Sequence, residues 1–214
     1  MDVAALYVDA RGVYPQLTDH WYDEKRDART YAGPWPVVAH PPCGPWSVMR
    51  HLHSRPADAE LGPLAVEQVR KWGGILEQPA GSRLWKACGL PPVDWFPFTD
   101  GTFSVEVEQC AWGHVARKRT WLYCVGVDFL ALATSLRFGG TPTHWCSGSR
   151  NAPRGPVPPG IKVCSAEQRR RTPIAFAKWL LRIAATAQGF RGEERNRDGL
   201  GQGTCSPRHS FQDG

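Results

Sequence analysis

The chain has 214 residues, enough for one domain with a substantial core or one domain with a small appendage. Its composition is globular, and a formal net charge of +6 suits a polyanionic partner without demanding one. No apolar run approaches the ~20 residues needed to cross a bilayer. The seven cysteines are an odd number and form no Cys-x-x-Cys pair. With no basic leader at the N-terminus, they predict free thiols in a reducing cytoplasm, bacterial or phage-infected.

Residues 4–8 are apolar and β-favouring, and Asp9-Ala10-Arg11-Gly12 ends them. A strand followed by Asp-x-x-Gly fits a nucleotide-binding first turn, where glycine lets backbone approach a ligand; it fits a plain turn as well. Residues 19–31 are charged and without period, which allows a short strand or a helical turn. Asp27 lies there. Pro36 then opens, and Pro41 closes, a Val-rich run that reads as a buried parallel strand. Cys43 follows just past its carboxyl end, where ligands bind in open α/β sheets, and Pro41, Pro42 and Pro45 stiffen its loop. Residues 49–55 carry His51 and His53 and are expected as a lid or a DNA contact.

Residues 59–72 form the clearest amphipathic helix, with Asp58 as cap, Pro63 in the first turn and Gly73-Gly74 as the stop. The helix is a crossover into a short strand at Ile75-Leu76, which ends in Glu77-Gln78-Pro79. Crossovers of this kind bring neighbouring strand ends together, so Glu77 is expected beside the Cys43 thiol. A turn into a short helix (80–85) and a loop (88–99) precede two strands, 102–110 and 120–127. Between those strands lies Ala111-Trp112-Gly113-His114-Val115-Ala116-Arg117-Lys118-Arg119. Arg117 and Arg119 alternate onto one face, as a contact to a base carbonyl or a phosphate requires. Residues 128–164 are Gly/Pro/Ser-rich with little period, and a buried helix over 172–188 follows, with Thr172 as cap. The Gly-rich, charged 190–214 stretch is expected to be a disordered tail.

Three of these stretches resemble motifs of the DNA cytosine-C5 methyltransferases, in the same order. Pro41-Pro42-Cys43-Gly44-Pro45-Trp46-Ser47 is similar to that family's nucleophile loop, Pro-Pro-Cys-Gln-x-Phe-Ser. Glu77-Gln78-Pro79 stands where the family has Glu-Asn-Val, and Trp112-Gly113 with Arg117-x-Arg119 matches its aromatic-Gly and Arg-x-Arg spacing. Residues 164–170 loosely resemble a further Thr-x-x-Glu-x-x-Arg motif. The chain looks like a short, phage-type divergent member.

The resemblance implies an α/β fold: a reduced Rossmann-like methyltransferase sheet with helices on both faces. It implies a catalytic core (1–127), a small target-recognition segment (128–165), a C-terminal helix packed back on the core (166–188) and the tail (189–214). The implied activity is base modification at cytosine C5 of DNA. Cys43 attacks C6, Glu77 serves the N3 side, Arg117 or Arg119 holds O2, and the base leaves the duplex. S-adenosyl-L-methionine is the implied donor, with Asp9, Gly12, Asp27 and Pro41 as the matching positions. Ser47, Arg50, Lys118, Arg150 and Arg154 are the expected DNA contacts. The family's Phe-x-Gly-x-Gly turn is absent, so a partner chain completing the cofactor site, a pyrimidine-modifying enzyme with another donor, and a non-catalytic DNA-binding remnant are the alternatives. A zinc module drawn from Cys110, His114, Cys124, His144, Cys146 and Cys164 is a further one, though only Cys110-x3-His114 has regular spacing.

Overall fold

The computed structural model describes residues 2–47, 50, 55–93, 100–146, 157 and 159–187. The expected lid histidines, Arg150, Arg154 and the C-terminal tail lie outside them.

Three short apolar strands begin the sheet: β1 (Ala4–Leu6), β2 (Trp21–Tyr22) and β3 (Val37–Ala39). The long helix α1 (Leu61–Trp72) crosses over to β4 (Gly74–Pro79). After the single-turn α2 (Leu84–Ala87) come β5 (Thr102–Glu108) and β6 (Arg119–Val125). The six-stranded sheet has the order β2-β1-β3-β4-β6-β5. β1, β2, β3 and β4 pair in parallel, and β6 inserts antiparallel between β4 and β5. The chain leaves β1 for β2 on one side and returns to β3 on the other. That reversal puts a crevice between the carboxyl ends of β1 and β3, the usual ligand position in such sheets.

Strand alternation sorts the core into two layers. Ala5, Val38, Ile75, Leu122 and Cys124 face α3 (Phe129–Ser135) and α5 (Ile174–Ala184). Leu6, Val37, Ala39, Leu76 and Tyr123 face α1 and α2. α5 buries Phe176, Trp179, Leu180, Leu181 and Ile183 over β3 and β4. Each such side chain contributes about 1.5–3 kcal/mol of burial energy. Gly74 starts β4 at φ +113, and a Cβ there would meet the Val37 carbonyl oxygen at 2.0 Å, so only glycine lets β4 close on β3.

Several local expectations differ from the structure. α1 is entered through a 3-10 turn at Pro56–Ala59, its cap position is Glu60, and no side chain caps it. Asp58 is buried and lies 3.7 Å from Arg55 instead. α5 begins after Pro173 without a Thr172 cap. The segment expected as a small target-recognition region with little period holds α3, whose Asp128 side chain accepts from Leu130 and Ala131 N–H; a seven-residue helix is too short to display a period. It also holds the two-residue parallel pair β7 (His144–Trp145) and β8 (Lys162–Val163), followed by α4 (Ala166–Arg170) with a Ser165/Gln168 capping box. Among the described residues no helix is long and apolar enough to cross a membrane.

Candidate active site

The site grows from the ends of β3 and β4. His40 follows β3 on the face of Val38, and Glu77 lies on β4 on the face of Ile75; Val38 and Ile75 are paired in register. The next pair along the two strands is therefore His40 and Glu77. His40 Nδ1 lies 3.1 Å from Glu77 Oε2, with both side chains almost wholly buried. Behind the imidazole, the Tyr14 hydroxyl sits 2.5 Å from Nε2. The imidazole is thus held at both nitrogens, Nδ1 by the Glu77 carboxylate and Nε2 by the Tyr14 hydroxyl.

Gln109 completes the cradle. Its Nε2 donates to Glu77 Oε1 at 3.1 Å and to Thr120 Oγ1 at 3.0 Å, while its own Oε1 is buried without a partner. Gln109 and Thr120 reach Glu77 because β6 lies beside β4, with Leu122 opposite Glu77.

Cys43 sits three residues beyond His40 and begins a 3-10 turn over Gly44–Trp46. Its loop is tied down on both sides. Gln78 Nε2 donates to the Pro41 carbonyl at 2.6 Å, and the Arg83 N–H donates to the Trp46 carbonyl at 2.9 Å. Trp46 packs on α1 so closely that a Cβ on Gly62 would lie 2.4 Å from its Nε1.

The electrostatics at this point are specific. Cys43 reaches solvent, yet the surrounding protein pushes its thiol above the ordinary range, and the Glu77 charge pushes it further. Lys118 and Arg170 pull it back only in part, so the resting sulfur carries its proton. For Glu77, burial alone would raise the carboxyl. The His40 hydrogen bond and charge, with Lys118 and Thr120, outweigh it and hold the group below the usual carboxylate range. Glu77 is therefore ionised at rest. Burial lowers the Lys118 ammonium, while Glu77, Cys43 and Cys146 pull it the other way. Its Nζ donates to the Arg171 carbonyl at 2.9 Å, linking the entrance of β6 to the end of α4.

The basic run thus divides differently from expectation. Arg117 and Arg119 do share a face, but it is the face away from Glu77. Arg119 pairs with Glu106 at 2.6 and 2.8 Å beside the Trp121 indole, and Arg117 pairs with Glu108. Lys118, expected on the outer DNA-contact face, is the residue that turns inward. Its φ of +37 lets the chain make that turn as it enters β6.

The positions matched to a cofactor all lie at the carboxyl edge of the sheet. Asp9 caps a turn through the Arg11 N–H at 2.8 Å, and the Gly12 N–H donates to the Asp9 carbonyl at 2.8 Å. Asp27 follows β2, near enough for its charge to act on the Tyr7 hydroxyl beyond β1, and it accepts two bonds from the Arg29 guanidinium. Pro41 is buried under the Gln78 amide. The Ser47 hydroxyl donates back to the Gly44 carbonyl, and Arg50 is exposed.

For the zinc alternative, no three His, Cys, Asp or Glu side chains among the described residues converge as a metal set. The cysteines among them are free. Tyr14, His40 and Gln109 escape sequence reasoning because their partners are distant in the chain; His40 alone leaves a trace, as a polar residue ending a buried strand. The chain matches no protein-family model, no curated protein and no solved structure.

Proposed function

We propose that this protein modifies cytosine in DNA, with Cys43 adding to C6 of a base turned out of the duplex. The observation that carries the reading is the convergence of a solvent-reaching thiol, an ionised Glu77 and the Lys118 cation at the carboxyl ends of β3 and β4. The mostly parallel sheet, covered on both faces and reversed beside β3, supports a reduced methyltransferase-like Rossmann sheet.

The resting protonation states set the course of the addition. Sulfur bonds to C6, the C5–C6 π electrons move to C4–C5, and the C4–N3 pair moves onto N3. The thiol proton passes to the Glu77 carboxylate and on to N3, so no net proton is exchanged with water. The product carries an electron-rich C5. Lys118, in place of Arg117 or Arg119, is the cation inside the site; Ser47 and the exposed Arg50 would contact DNA.

The edge positions offer a ribose-bearing cofactor two carboxylates and a glycine turn. Asp9, Gly12 and Asp27 would hold S-adenosylmethionine, which supplies the methyl group that C5 takes. Both carboxylates are engaged by neighbouring arginines, which favours a second reading: the same attack on a pyrimidine with another donor or a partner chain.

The test is covalent capture on duplex DNA containing 5-fluorocytosine, with S-adenosylmethionine, read on a denaturing gel. Wild type forms the adduct and Cys43→Ser does not. An adduct of equal yield from Cys43→Ser overturns the nucleophile assignment, and none from wild type overturns methyl transfer.

A further inference from the structure

The chain of contacts behind Glu77 is longer than holding a single carboxylate requires. The Tyr14 hydroxyl, the two nitrogens of His40 and both oxygens of Glu77 form one hydrogen-bonded line, and Gln109 braces its far end. Tyr14 is buried, and both ring nitrogens of His40 are taken by Tyr14 and Glu77, so neither residue offers a base a free polar atom.

We infer that His40, fixed by Tyr14, is a positioning residue that keeps Glu77 free to receive the Cys43 proton, which makes the attack on the base a closed proton circuit within the protein. The inference rests on the proposed addition of Cys43 to cytosine.

The argument follows from what faces each group. From the turn after β1, Tyr14 faces His40 Nε2. From the end of β3, His40 faces Glu77. From the entrance of β6 come the Lys118 charge, which acts on Glu77, and the Thr120 hydroxyl. From the loop beyond β3 comes Cys43, and from α4 the Arg170 charge reaches that thiol. Burial raises the Glu77 carboxyl, and His40 is the largest influence opposing it. With His40 in place, the carboxylate is empty when the base arrives. The proton leaves Sγ as the S–C6 bond forms, rests on Glu77, and ends on N3 as the C4–N3 electrons arrive there. Atoms and charge balance with no proton taken from water or lost to it.

Without His40, only Lys118 and Thr120 oppose burial, so the Glu77 proton affinity rises and the carboxyl holds a proton more readily. It still protonates N3, but the thiol then has no internal acceptor and loses its proton to solvent. The addition step becomes dependent on hydroxide concentration.

The experiment uses the full chain and a single-stranded oligodeoxynucleotide carrying [5-³H]deoxycytidine in mixed contexts, without a methyl donor. After addition at C6 the electron-rich C5 takes a proton from water and gives up its triton before the thiol leaves, so tritium release reports the addition; it is followed from pH 6 to pH 9 for wild type, His40→Gln and Tyr14→Phe. Dividing each variant's rate by the wild-type rate removes steps common to both. The expected ratio for His40→Gln is well below one at pH 6 and rises by up to about tenfold per pH unit. Tyr14→Phe, which keeps the imidazole and the packing, gives the same tilt with smaller amplitude.

A ratio that is low but independent of pH overturns the inference, since a merely structural loss lowers the rate equally at every pH; the Cys43 attack would stand. No release by wild type at any pH overturns the addition itself and the inference with it. Should His40→Gln fail to fold, the Tyr14→Phe ratio decides by the same criterion.

Discussion

Replacing Gln109 by Met isolates the brace on Glu77. The two side chains are similar in length, and residue 109 is fully buried. Three effects compete. The bond to Glu77 Oε1, with a charged acceptor, is worth about 1.5–3 kcal/mol. The bond to Thr120 is worth about 0.5–1.5 kcal/mol, and Thr120 keeps its own donation to the Lys118 carbonyl, so its hydroxyl is not orphaned. Against these, the unpartnered Oε1 disappears, which returns about 1–3 kcal/mol. The first two outweigh the third by roughly 1–2 kcal/mol, a fall in Tm of roughly 2–8 °C for a domain of this size.

The pH dependence separates this account from a packing effect. Glu77 titrates below its unfolded value, so its stabilising contribution is complete above the ordinary carboxylate range and is lost as pH falls through the depressed folded value. The Gln109→Met deficit, measured by urea unfolding in steps from pH 7 to about pH 3, is therefore largest at neutrality and shrinks across that acid window. A deficit equal at every pH would mean that Gln109 acts by shape alone. No deficit at pH 7 would mean that Glu77 does not need it.

Two further outcomes follow from the same geometry. Iodoacetamide labelling of Cys43, with Cys43→Ser as blank, should be faster in Glu77→Gln and slower in Lys118→Met, because the two charges act on the thiol with opposite sign; changes of the same sign would refute that arrangement. Gly62→Ala forces Trp46 off α1, which should cost about 1–3 kcal/mol by thermal unfolding and alter the Cys43 labelling rate, whereas an unchanged rate would mean the thiol loop is not anchored there.

Much of the frame is legible in the residue order. A Val-rich run between two prolines announces β3, a 3.6-residue period announces α1, and an uninterrupted apolar helix announces α5. Their ends placed Cys43 just past β3 and Glu77 on the neighbouring β4. What stayed hidden depends on strand order. Nothing local to residues 119–125 says that β6 enters between β4 and β5 rather than at the edge, and that insertion turns Lys118 and Thr120 toward Glu77 and both arginines away. A period of two assigns residues to faces without saying which face holds the chemistry. Tyr14 and His40 meet across 26 positions, beyond any spacing rule.

The cover supplied by α5 also has a consequence during synthesis. Every group of the site precedes residue 172 in the chain, yet the helix that roofs β3 and β4 is the last element among the described residues. As the chain grows from its N-terminus, the thiol loop and Glu77 leave the ribosome before the apolar layer beneath them is sealed. A nascent chain stalled ahead of Ile174 exposes the Val38, Ile75 and Leu122 face to any chaperone that reads apolar strands. The thiol loop and Glu77 are then finally backed on that face when α5 docks.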